Sequence, residues 1–239
     1  MRAPVLRICK SYDEYSAFYK GSDWSWGNIE VVTYDDQGGS TSYTMKNVIR
    51  ELTDLWFSDR DRVLAFAMPM WLRNGIYDLM EQANLDKGKL EFRTDYWIKD
   101  DVREAVRANK ALTPRQMMTM DGESFWKDLT NFQQGSAFVA FLVTGPASKS
   151  KLTKDVLPGY LKNLKTVVGE IKGEDEKSGK QPKKEAETEE EEEAQLKAQR
   201  DSFKSSQKRI LDQTLERTFQ GWGNAEWKKF DELYFDVFR

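Results

Sequence analysis

The chain of 239 residues contains no histidine. No imidazole is present to bind a metal, to shuttle a proton near neutral pH or to activate a serine or cysteine nucleophile, so the commonest hydrolase chemistries lack their usual base. Cysteine is almost as scarce. A single residue, Cys9, excludes any disulfide within the chain. It lies in the alternating run Val5 to Cys9, which predicts a buried, inert thiol on a strand. No apolar run reaches the roughly 18 residues that a membrane helix needs, and the start of the chain has no long apolar stretch of the kind a signal peptide carries. As given, the chain reads as cytoplasmic, or as exported if a longer parent supplies a signal. Charge of one sign is also lacking. With 37 Lys and Arg against 40 Asp and Glu, the net charge is -3, and no global field favours nucleic acid or a membrane surface.

Aromatic residues are plentiful: eight Trp, nine Tyr and thirteen Phe. They suffice for a core once the charged tract near residue 180 is set aside. The pattern predicts an α+β fold with a small N-terminal β-sheet and a mostly helical remainder. Val5 to Cys9 and Ile29 to Tyr34 read as strands, separated by a helix that starts at Ser11 with Glu14 completing a capping box. Helices are expected at 42–57, from Ala67 or soon after to Glu81, at 102–108, at Thr113–Met120 with Pro114 in its first turn, at 131–143 and at 152–171. Lys87 to Phe92 suggests a short strand, and Ser58 to Arg62 a charged loop. Residues 1–172 then form one domain. Residues 173–195 read as a solvated linker or charged helix, and 196–239 as C-terminal helices that pack back on that domain.

Two segments about 20 residues apart carry the most chemical information. The first is Arg50-Glu51-Leu52-Thr53-Asp54, inside an apolar-striped helix. The second is Trp71-Leu72-Arg73-Asn74-Gly75-Ile76-Tyr77-Asp78. A third, Asn131-Phe132-Gln133-Gln134-Gly135-Ser136, opens the least charged helix. In order and spacing these segments resemble the gluzincin-type zinc metallopeptidases. The opening of the chain, Val5 to Tyr15, resembles a bacterial, DUF1570-like branch of that group. The resemblance implies two zinc-binding histidines at positions 50 and 54, a glutamate base at 51 and a third, acidic ligand at 74. It also implies a second carboxylate at 78 that orients the first histidine.

This chain departs from that pattern at every ligand position. Arg50, Asp54 and Asn74 replace the ligands, Phe132 replaces a tyrosine, and only Glu51 and Asp78 match. The implied protein is a degenerate, catalytically inactive form with no cofactor that serves as a protein- or peptide-binding module. Two alternatives stay open: a metal-free hydrolase that uses Glu51, Asp54 and Asp78, or an α+β protein whose likeness to peptidases is accidental. Because positions 50 and 54 are one helical turn apart, Arg50 is expected to pair with Asp54 and with Asp78, a guanidinium standing in the place of the metal. Trp71, Tyr77, Phe132, Phe138 and Phe141 are expected to pack in the core. The aromatic pairs Trp24/Trp26 and Phe125/Trp126 flank loops and are candidates for an exposed binding patch. The run Glu189 to Glu193 is a solvated segment or a contact for a basic partner.

Overall fold

The computed structural model describes residues 5–21, 30–35, 43–92, 100–177 and 205–239. The N-terminal unit is a strand, a helix and a strand: β1 (Val5–Cys9), α1 (Tyr12–Gly21) and β2 (Glu30–Tyr34). β1 and β2 pair in parallel, with Val5 opposite Glu30 and Cys9 opposite Tyr34. The intervening helix makes this order feasible, since parallel neighbours need a crossover. Val31, Val32 and Thr33 of β2 are buried, whereas β1 is exposed except at Cys9. Burial of the Cys9 thiol and the negative charge of Glu14 both push its pKa up, so it is a core thiol as expected.

α2 (Tyr43–Arg60) follows and packs on β2. It extends through Ser58 to Arg60, where a loop was expected. The turn to α3 (Arg62–Ala67) is made by Asp61, whose carboxylate accepts from the Leu64 backbone amide at 3.0 Å. α4 (Met70–Glu81) begins after Pro69, whose missing amide donor is harmless at a helix start. The expected short strand is one arm of a hairpin, β3 (Ala83–Asp86) and β4 (Lys89–Phe92). Its turn residues Lys87 and Gly88 both have positive φ, at 47° and 79°, the geometry that suits the twist of a two-residue hairpin loop.

α5 (Asp100–Arg107) and α6 (Pro114–Thr119) come next. α6 is opened by a full capping box between Thr113 and Gln116. α7 (Gly122–Trp126) was not anticipated. It is five residues long and held at its start by Asp121, which accepts from Ser124 N at 2.8 Å. α8 (Leu129–Val143) is capped by Asp128 and is buried almost throughout, as its scarcity of charge predicts. α9 (Val156–Lys177) runs beyond the expected end at Ile171. α10 (205–218) returns beside it, with Arg217 forked onto Glu170 at 3.0 and 2.6 Å and Asn163 Nδ2 donating to Thr218 Oγ1 at 3.2 Å. α11 (Asn224–Phe235) places Phe230 and Tyr234 into the main core, beside Phe138 and Phe141 of α8. The fold is therefore α+β: a small parallel two-stranded sheet at the N-terminus and a mostly helical remainder. Trp24, Trp26 and the run Glu189 to Glu193 lie outside the described residues. Among the described residues, no helix is long and apolar enough to cross a membrane.

The closest seam in the core is between α4 and α8. A Cβ on Gly75 would fall 2.3 Å from Val139 Cγ2 and 2.8 Å from the Gly135 carbonyl oxygen. On the other side, Gly135 lies against the Trp71 carbonyl and the Phe125 ring. Two glycines thus let the backbones approach until no side chain fits between them. The motifs Trp71 to Asp78 and Asn131 to Ser136 are brought together by this contact.

Candidate functional site

α2 and α4 lie side by side with their charged faces opposed. Arg50 Nε donates to Glu81 Oε1 at 2.6 Å, and Arg50 Nη2 to Asp78 Oδ1 at 3.3 Å. One turn further along α2, Asp54 Oδ1 lies 3.8 Å from Arg73 Nε, and its carboxylate is the negative neighbour of the Tyr77 phenol. Low numbers on α2 meet high numbers on α4, so the two helices run antiparallel. Positions 74, 78 and 81 follow helical spacing along the facing side of α4.

The expected pairing of Arg50 with Asp78 is present. The expected pairing of Arg50 with Asp54 is absent: Arg50 takes Glu81 as its nearer partner, while Asp54 faces Arg73 and Tyr77. The reason is burial. The Glu81 side chain is only 5% exposed and needs a cation, whereas Asp54 is 34% exposed and meets a second arginine across the helix pair.

The charges respond to these surroundings. Burial works against the Arg50 cation, but Glu81 and then Asp78 outweigh it, so the guanidinium pKa is raised. Burial pushes the Glu51 carboxyl up, and the charge of Asp54 pushes it further. Burial, with Asp54 as hydrogen-bond acceptor and negative neighbour, raises the Tyr77 phenol well above its usual value. Asp78 is also fixed from behind. The Ser136 hydroxyl lies in hydrogen-bond contact with Asp78 Oδ2 and is 2.8 Å from the Phe132 carbonyl, which joins α8 to the cluster. Asn74 Nδ2 is buried and has no hydrogen-bond partner among the described residues. Phe132 contributes its carbonyl here, while its ring points into an aromatic group with Phe125 and Trp126.

Two of the positions the sequence singled out, Arg50 and Asp78, therefore join in one ion-paired cluster, and Asp54 lies one turn away in a second. Glu51 borders the second cluster through Asp54. The sequence reading missed Glu81, Arg73 and Ser136 as partners. Glu81 was legible in principle, since it lies three residues after Asp78 on the same face of α4.

The donor set does not fit a zinc ion. Arg50 offers a cation with no lone pair for a metal, and it is engaged by two carboxylates. The buried atom of Asn74 is an amide nitrogen, which donates and does not ligate. Among the described residues, no three of His, Cys, Asp and Glu are grouped so as to hold a metal ion. Asp78 contacts residue 50 through the Arg50 guanidinium. No family model matches the chain, and no curated protein or solved structure matches it.

Proposed function

We propose that this chain is a catalytically inactive, peptidase-like domain that works as a protein- or peptide-binding module. The observation that carries the reading is the engagement of Arg50. A guanidinium occupies the first ligand position of the motif, and two carboxylates, Asp78 and Glu81, are committed to neutralising it. With its charge satisfied this way, the α2–α4 pair is held by direct ion pairs, with no bridging ion required. Glu51, the one residue that matches a general base, has neither an imidazole nor a metal-activated water to work with. The test is elemental analysis of the purified protein together with a general peptidase assay. The expected result is no stoichiometric zinc and no hydrolysis. One zinc per chain, or cleavage abolished by a chelator, would sink the reading.

One observation favours a second reading, metal-free acid–base chemistry. Glu51 and Asp54 interact as like charges, and the Glu51 pKa is raised. Asp78 does not belong to that pair, since Arg50 and Ser136 claim both of its oxygens. This reading predicts a chelator-resistant activity that Glu51→Gln removes. The inactive module predicts none in either protein.

A further inference from the structure

Trp126 and Leu129 stand out from the surface at the corner between α7 and α8, 61% and 79% exposed. Single exposed apolar residues are ordinary, but these two belong to one built surface. Leu129 and Phe132 are three residues apart on α8 and share a face. The Trp126 ring meets the Phe132 ring edge-on at 4.8 Å, and the other side of Phe132 rests on buried Phe125 at 4.8 Å. The corner itself is pinned. Asn131 Nδ2 donates to the carbonyl oxygens of Ser124 at 3.3 Å and Phe125 at 3.2 Å, so α7 cannot swing away from α8. A rigid, outward-facing Trp is the kind of anchor that binding surfaces use, and Leu129 extends the apolar area beside it.

The charges around the patch are mainly acidic. Asp128 lies between Trp126 and Leu129, Glu123 is one turn before Trp126, and Asp101 is drawn to α8 by a hydrogen bond from Gln133, which follows Phe132. Asp128 stays ionised at neutral pH, because the Thr130 backbone amide holds its pKa below the usual carboxylate range. Lys127, which follows Trp126, is 3.5 Å from Glu123. An acidic rim repels phosphate-bearing nucleic acid and anionic lipid. It also repels a second copy of itself, since a two-fold contact would bring the same carboxylates together.

We propose that the Trp126–Leu129–Phe132 face is a docking surface for a cationic protein segment that presents a bulky apolar side chain. The apolar side chain covers Trp126 and Leu129, and lysines or arginines on either side meet Asp101, Glu123 and Asp128. The inference goes beyond the inactive-module reading and rests on Trp126, Leu129 and the Phe132 ring, which take no part in the Arg50 ion pairs, so the two can fail separately: zinc at positions 50, 54 and 74 would leave this patch as it is.

The probe is a fluorescein-labelled amphipathic peptide of leucine and lysine, with a leucine–glutamate peptide of the same pattern as its control. Binding is read by anisotropy against the wild type, Trp126→Ala and Leu129→Asp, with sedimentation of each protein alongside. Both side chains are exposed, so the variants should keep the wild-type melting temperature. The lysine peptide should bind the wild type, lose about tenfold or more in affinity to either variant, and bind at least about tenfold more tightly than the glutamate peptide. Added salt should weaken it. Three results would overturn the proposal: no binding to the wild type, equal binding to wild type and variants, or a wild-type dimer that Leu129→Asp dissolves. In the third case a second copy covers the patch.

Discussion

Arg50 Nε lies 2.6 Å from Glu81 Oε1, and so joins the middle of α2 to the last residue of α4. The arginine is partly open to solvent, whereas the glutamate is almost fully enclosed. Removing the cation therefore strands a buried carboxylate. Arg50→Met should destabilise the protein by about 1–3 kcal/mol, between the values for exposed and for buried pairs. The check is the urea midpoint at neutral pH. Glu81→Met added to Arg50→Met should recover part of the loss, because the two residues act as a unit. Full additivity of the two changes would show that the contact carries no coupling.

The antiparallel packing of α2 on α4 allows a gain-of-function test. If the resemblance to zinc peptidases reflects common geometry, then Arg50→His, Asp54→His and Asn74→Glu together should create a three-ligand donor set with an open fourth position, and Asp78 is already in contact with residue 50. The triple variant should retain about one zinc per chain after dialysis, where the wild type retains none. A folded triple variant with no zinc would mean that the three positions do not converge, and the accidental-likeness alternative would gain.

At the α4–α8 seam, Gly75→Ala should be severe for so small a change. The added methyl group would meet both a valine side chain and a backbone oxygen at less than van der Waals distance. A loss of about 1–3 kcal/mol or more is expected, seen as a lower thermal midpoint. Val139→Ala should rescue it only in part, since the Gly135 carbonyl stays where it is. Gly159, whose Cβ would meet nothing, is the control: Gly159→Ala should be neutral or stabilising.

Glu51 has the opposite pH signature to a salt-bridged acid. Its pKa is raised in the folded state, so folding favours the protonated carboxyl. The stability this contributes is fully present below the ordinary value of 4.5 and is lost as pH rises through the higher folded value. Glu51→Gln should then raise the melting temperature at pH 7, and the advantage should fade toward pH 4. Melting curves of both proteins at the two pH values decide the matter: an advantage of the same size at both would remove burial of the charge as its cause.

Much of this arrangement was legible from local rules. The strand–helix–strand opening, the short helix that starts at Thr113 and the buried run of α8 all follow from periodicity and caps within one segment. What was not legible depends on a second segment. The one-turn spacing of Arg50 and Asp54 suggested a pair, but spacing along one helix says nothing of what the facing helix offers. Glu81 and Arg73 on α4 each outcompete the local partner. α7 was hidden for another reason: its five residues are too few to show a period, and only the cap at Asp121 marks it. β3 was missed because its single strong apolar residue, Leu85, gives no alternation. The turn that pairs it with β4 depends on backbone angles at Lys87 and Gly88.

The seam at Gly75 has one more consequence. α4 and α8 meet backbone to backbone there, whereas α2 is tied to α4 partly through Arg50, Asp54 and their partners. One wall of the cluster is thus joined to the core by shape, and the other is held in part by charge. Ionic strength acts only on the second kind of attachment. As salt rises, α2 is the wall that loosens, while Asp78 and Ser136 keep their spacing, so the cluster has a movable side and a fixed one.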